Sequence, residues 1–207
     1  MNAVQTYRYL QPSALRAAGL DLQTCGGPAA NPRFFAGFLT APAAAAAGLL
    51  AVAEVARTRY HQPVNPASLD PVVTGSRGRL RFESFSGCCG VYARMDVLPA
   101  GLDGEISGHG TTNVDVNPPL REALARVGGI EPLHVAVGPD DLTVSTMDGS
   151  VVERKVPLPG RWLRGFAEVH VLTAGFRAAS PSAATSAGSA APVRSRPARA
   201  MAGVAVS

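Results

Sequence analysis

The chain has 207 residues, 46% of them hydrophobic and 16% charged, with 19 basic and 15 acidic side chains and three cysteines. That is enough apolar material for a core and too few cysteines for a disulfide framework. The excess of positive charge is confined to four arginines after Phe176, so residues 1–176 are neutral and the high pI marks no folded basic face of the kind a nucleic-acid binder needs.

The N-terminal stretch MNAVQTYRYLQPSALRAAG lacks a basic segment followed by an apolar one, which excludes a signal peptide. The most apolar run, Ala41 to Ala53, is dominated by alanine and falls short of the roughly 20 residues a membrane span requires. A soluble, cytoplasmic protein with no membrane partner is expected. Thr40 and Pro42 read as the N-cap and first turn of a helix from Ala43 to about Tyr60, with Leu49, Val52, Ala53 and Ala56 as its buried stripe. Pro63 forbids its continuation.

Beyond that helix the period drops to two. Leu80, Phe82 and Ser84 alternate with Arg81 and Glu83, and Val91, Ala93, Met95 and Val97 alternate with Tyr92, Arg94 and Asp96. These are two half-buried strands joined through SGCCG. A third strand, Thr111 to Val116, leads to Asn117 as the cap of a helix begun by Pro118 and Pro119, with Leu120, Ala123, Leu124 and Val127 on its apolar face. The pattern recurs: a strand at 133–137, a hairpin turned at Asp148-Gly149, and a helix after PLPG bearing Trp162, Leu163, Phe166 and Val169. An α+β fold follows, with antiparallel hairpins, packed helices and two units of three strands plus a helix. From Arg177 to Ser207 the chain holds 11 Ala, 6 Ser, 4 Arg and 3 Pro with no acidic or aromatic residue, so the predicted organisation is a domain over 1–176 and a disordered tail over 177–207.

The chemistry-bearing residues are few. Adjacent Cys88 and Cys89 lack the C-x₂₋₄-C spacing of zinc sites and the C-x-x-C of redox sites, and neither Cys25 nor His61, His109, His134 and His170 completes a set. Small thiols in a glycine-flanked turn are the plain reading. The strand GHGTTNVD offers a candidate pocket of Cys88, Cys89, His109, Asn113 and Asp115, in which His109 would serve as acid or base near neutral pH. Alternation equally explains it as a solvated strand face. Arg77, Arg79 and Arg81 form a local basic patch, and Trp162 lies on an apolar helical stripe and reads as core. No phosphate-binding loop, dinucleotide fingerprint, zinc-protease or nucleophile-elbow motif occurs, so no catalytic residue is assigned and no enzyme is expected.

Longer strings add a resemblance. NPRFFAGFLTAP, YHQPVNPASLDPVVT, LRFESFSGCCGVYARMDVLP, GHGTTNVDVNPPLREALARVGG and VVERKVPLPGRWLRGFAEV resemble, in order over residues 5 to 176, the N-terminal region of bacterial, chiefly actinobacterial, SWIM zinc-finger proteins. The resemblance implies an interaction or scaffold domain with a protein or DNA partner. It also implies a zinc module, of pattern C-x-C with C-x-H, C-terminal to this region. Neither pattern occurs here, so zinc is implied for the full-length family and no cofactor or small molecule for this chain. The departure near Phe176 suggests a truncated or frame-shifted product. The expected function is non-enzymatic interaction; the alternative is a small-ligand or catalytic domain using the GHGTTNVD strand near the GCCG hairpin.

Overall fold

A computed structural model describes residues 33–58, 71–76, 78–158 and 160–173, together with the short strands 14–16, 19–21, 24–25 and 204–206. The chain runs β1 (Ala14–Arg16), β2 (Gly19–Asp21), β3 (Thr24–Cys25), β4 (Phe35–Leu39), α1 (Pro42–Arg57), β5 (Val72–Ser76), β6 (Arg79–Phe85) and β7 (Tyr92–Val97). A 3₁₀ turn over Pro99–Gly101 leads to β8 (Leu102–Glu105), then β9 (His109–Asn113), α2 (Pro118–Arg126), β10 (His134–Val137), β11 (Asp141–Thr146), β12 (Gly149–Arg154), α3 (Gly160–Thr173) and β13 (Val204–Val206).

The α+β class is as expected, and the strands form two large sheets ordered β13-β7-β6-β5-β9-β3 and β12-β11-β10-β4-β8, beside the small β1-β2 pair. The repeating unit differs from the sequence reading. It is strand, helix, strand, hairpin: β4-α1-β5-β6-β7 and then β9-α2-β10-β11-β12. Each unit's first strand is built into the other unit's sheet. β4 pairs antiparallel with β10, from Phe35↔Val137 to Phe38↔His134, and β9 pairs antiparallel with β5, from Val72↔Asn113 to Gly75↔Gly110.

Both sheets feed one buried cluster with the two helices. Phe35, Leu39, Val135, Val137, Leu142 and Val144 come from one sheet; Val73, Leu80, Phe82, Met95 and Val97 come from the other. Leu49, Val52 and Ala53 of α1 and Leu120 and Leu124 of α2 complete it. The alanine-rich α1 lies close over β6 and β7, where the Ser84 hydroxyl donates to the Val52 carbonyl at 2.6 Å and Gly48 faces the Met95 thioether. A second cluster, with Val72, Phe85, Tyr92, Leu158, Trp162 and Val169, forms where α3 crosses one end of the six-stranded sheet. Trp162 is core, as read from its stripe.

Several local expectations shift. α1 starts at Pro42, but Ala41 is its N-cap and Thr40 Oγ1 instead donates to the Ala100 carbonyl at 3.0 Å. The helix ends at Arg57, where the Thr58 hydroxyl donates back to the Glu54 carbonyl at 2.9 Å, rather than near Tyr60. Asn117 does sit at the N-cap of α2, yet its Nδ2 donates to Glu153 at 2.8 Å rather than its side chain accepting from the helix. The β11–β12 turn is Met147-Asp148, because Gly149 (φ 136°) already pairs with Thr146. The predicted disordered tail falls outside the described residues except at Val204–Val206, which run parallel to β7.

Met95 has no exposed surface, so a side chain at Gly48 can be accommodated only by moving the thioether or separating α1 from the sheet. Gly48→Val should lower the unfolding free energy by about 2 kcal/mol despite removing a helical glycine, since overpacking costs about 1–3 kcal/mol. Urea denaturation measures it; a variant as stable as the parent would show that α1 does not approach β7 this closely.

Candidate functional site

The strands of the six-stranded sheet have one face on α1 and the core, and the other face turned outward. Cross-strand register fixes the outer face: Arg94 is opposite Glu83, Asp96 opposite Arg81, Tyr92 opposite Phe85, Thr74 opposite Thr111, and Val72 between Glu83 and Asn113. Asp96 is its electrostatic centre. Arg81 Nε donates to Oδ1 at 2.7 Å, Arg94 donates to Oδ2 through Nε at 2.9 Å and through Nη2, and Arg79 Nη1 lies 3.8 Å from Oδ2. Burial pushes the Asp96 carboxyl up, but the hydrogen bonds and charges of Arg94 and Arg81 outweigh it and hold the group below its ordinary value. Three guanidiniums share this one carboxylate.

Next to this array the Tyr92 hydroxyl donates to Glu83 Oε1. Burial first, and then the Glu83 charge and hydrogen bond, drive the phenol far above its usual range. Further along, Thr74 and Thr111 pair their hydroxyls at 3.1 Å. α3 roofs the Phe85 end so closely that a Cβ on Gly165 would lie 2.9 Å from the Phe85 ring, and Phe166 meets that ring edge-on at 5.0 Å.

The five candidate pocket residues spread over this sheet rather than meeting. Cys88 and Cys89 occupy the β6–β7 turn, closed by Cys89 N–H to the Ser86 carbonyl at 2.8 Å and Ser86 N–H to the Val91 carbonyl at 2.9 Å. Cys88 is exposed with Sγ 3.4 Å from Ser86 Oγ, while Cys89, at φ 56°, packs against the second cluster. Asn113 lies at that end of the sheet, two strands away across β5. His109 is at the other end of β9, about 13 Å from Asn113 at strand spacing, with Cys25 as its register partner. Asp115 follows the Val114–Lys155 bridge, and burial raises its carboxyl above the ordinary value.

A tetrahedral zinc site needs donors converging on one point. With Cys88 and Cys89 at one end of the sheet and His109 at the other, this donor set does not fit one, and no group of three or more His, Cys, Asp or Glu able to hold a metal occurs among the described residues. Arg77, of the predicted basic patch, lies outside them, while Arg79 and Arg81 face Asp96.

Asn113 remains unusual. It is fully buried and neither Oδ1 nor Nδ2 has a hydrogen-bond partner among the described residues, although its backbone carbonyl accepts from Val156 N–H at 3.0 Å. Trp162 is equally buried, and its indole N–H is also unpartnered. Both belong with Val72, Asn113 as its register neighbour and Trp162 as its partner in the second cluster. Buried polar groups are rarely left unsatisfied without a reason.

No protein-family model matches the chain, and no curated protein matches it. Among solved structures, the chain is similar to a DnaN sliding clamp (DNA polymerase III subunit beta) from Pseudomonas aeruginosa bound to griselimycin, at 16% identity and a TM-score of 0.43. The similarity covers 59% of this chain and 30% of that one, so the matched portion spans less than a third of the clamp's length.

Two outcomes test this site. Asp96→Asn should lower stability at pH 7 by about 2 kcal/mol, the scale of hydrogen bonds to charged groups. A carboxyl whose folded pKa is depressed stabilises fully above its unfolded value of about 3.9 and loses that contribution progressively as pH falls toward and through the lower folded value, so in urea titrations the gap between variant and parent should begin to narrow below about pH 4 and go on narrowing as the pH is lowered further. Asn113→Leu, which replaces an orphaned amide with a group of similar volume, should leave stability unchanged or raise it by about 1 kcal/mol. A loss of several kcal/mol in a thermal melt would mean that the amide is bonded after all.

Proposed function

We propose that residues 1–176 are a non-enzymatic interaction domain of a SWIM-type zinc-finger protein, cytoplasmic, with a protein or DNA partner. The supporting observation is the contrast on one sheet. The residues capable of acid-base, nucleophilic or metal chemistry lie apart, whereas Arg79, Arg81, Arg94 and Asp96 are held in a rigid cross-strand array on an outward face. Catalysis needs convergence within hydrogen-bond reach; recognition needs a fixed pattern of charge on a firm support. Among the described residues no helix is long and apolar enough to cross a membrane. The zinc of the family belongs, in this reading, to a module other than these residues.

A photo-crosslinking residue at Arg79 tests the reading in cells of the source organism. A discrete adduct should form, removed by protease if the partner is a protein and by nuclease if it is a nucleic acid, and weakened by Arg94→Ala. The purified protein should also melt at the same temperature with and without a strong chelator. Absence of a discrete adduct, together with stoichiometric zinc whose removal lowers the midpoint by many degrees, would defeat the proposal.

Asn113 favours a second reading, a small-ligand or catalytic domain on the strand His109–Asn113. An unsatisfied amide beneath α3, with the Trp162 indole in the neighbouring cluster, offers donors and an acceptor to a small polar guest. Soaking crystals in a small-amide fragment set distinguishes it: a fragment seated on Asn113 Oδ1 or Nδ2 supports this reading, and an empty site under α3 removes it.

A further inference from the structure

The six-stranded sheet contains one parallel pair among the described residues, and it is at the edge. Val204, Ala205 and Val206 register with Met95, Asp96 and Val97, so the end of the chain returns to lie on β7, with α1 alongside both strands. The fold does not require this addition. β12, the equivalent last hairpin strand of the second unit, ends its sheet with no strand on its outer side among the described residues. The pairing also covers half of β7, since Tyr92, Ala93 and Arg94 have no partner on that side among the described residues.

We propose that the edge of β7 is a strand-acceptor site, closed in cis by the chain's own Val204–Val206 and opened by an extended peptide that displaces it. The proposal rests on the interaction-domain reading and names the kind of partner. Three parallel residues make a weak ladder, while an unpaired strand edge is a template for another chain. A competitor pairing with all six residues of β7 would exceed that three-residue ladder. Its sequence follows from the register: positions beside Met95 and Val97 continue the core face and favour valine or isoleucine. In a competitor that continues this register, the position beside Arg94 adjoins the arginine array and favours an acidic side chain.

Native-state amide exchange on the full chain tests this, compared with a full-length variant carrying Ala205→Pro and Val206→Pro, which removes ladder donors without touching the sheet. The outward amides of Met95–Val97 should exchange about tenfold faster in the variant while β5 and β6 are unchanged. A synthetic AMAGVAVS peptide should restore their protection saturably in the variant and more weakly in the parent, and a peptide with Glu in place of its glycine, AMAEVAVS, should bind several-fold tighter. Equal exchange in the two proteins would overturn closure in cis, and failure of both peptides to protect β7 would overturn the acceptor site. Either result leaves the crosslinking outcome at Arg79 standing or falling on its own.

Discussion

Two ladders hold this molecule together, β4 on β10 and β9 on β5. In each, a strand from one half of the chain fills a place in the sheet of the other half. Removing β4 would strip β10 of a neighbour and leave the core without Phe35 and Leu39. Each half therefore lacks what it needs to stand alone, and the two sheets share a single cooperative core under α1 and α2. The hydrophobic cluster crosses the boundary between the halves, which is why no division into two independent cores can be drawn among the described residues between 35 and 158.

That exchange also explains which parts of the fold could be read from residues. β6 and β7 have one face on α1 and one outward, so Leu80, Phe82, Met95 and Val97 alternate with arginines and acids in plain view. β4 carries Phe35, Ala36, Gly37, Phe38 and Leu39, a five-residue apolar run with no polar alternation to mark it as a strand. β5 includes Gly75, whose bare backbone admits Phe34, and a glycine inside a run weakens the strand signal. With β4 and β5 hidden, the repeat was framed one strand out of phase. Capping side chains mislead in the same way: Thr40 and Asn117 stand where caps are expected, but Thr40 Oγ1 donates to the Ala100 carbonyl and Asn117 Nδ2 to Glu153 instead.

The candidate site was partly visible. His109, Asn113 and Asp115 look close in sequence, yet a strand carries its residues apart by more than three ångströms each, and His109 ends far from the thiols. The Asp96 array was absent from the sequence reading although its signal was present: closing the GCCG hairpin in register sets Arg81 against Asp96 and Glu83 against Arg94. The orphaned state of Asn113 has no such signal, because a residue in a polar strand segment gives no sign that the register beside Val72 will bury it completely.

The pairing of Phe35 with Val137 has a consequence for how the chain comes into being. During synthesis β4 leaves the ribosome before either of its neighbours in the sheet: β8 follows after α1 and the β5–β6–β7 meander, and β10 only after α2 as well. Until β10 is made, the segment Phe34–Leu39, with three phenylalanines, is unpaired on at least one side. Contacts so distant along the chain slow folding, and an apolar strand exposed meanwhile is open to wrong pairing. The nascent protein thus faces a hazard of aggregation before β10 exists, and shielding of β4 by a holdase would relieve it.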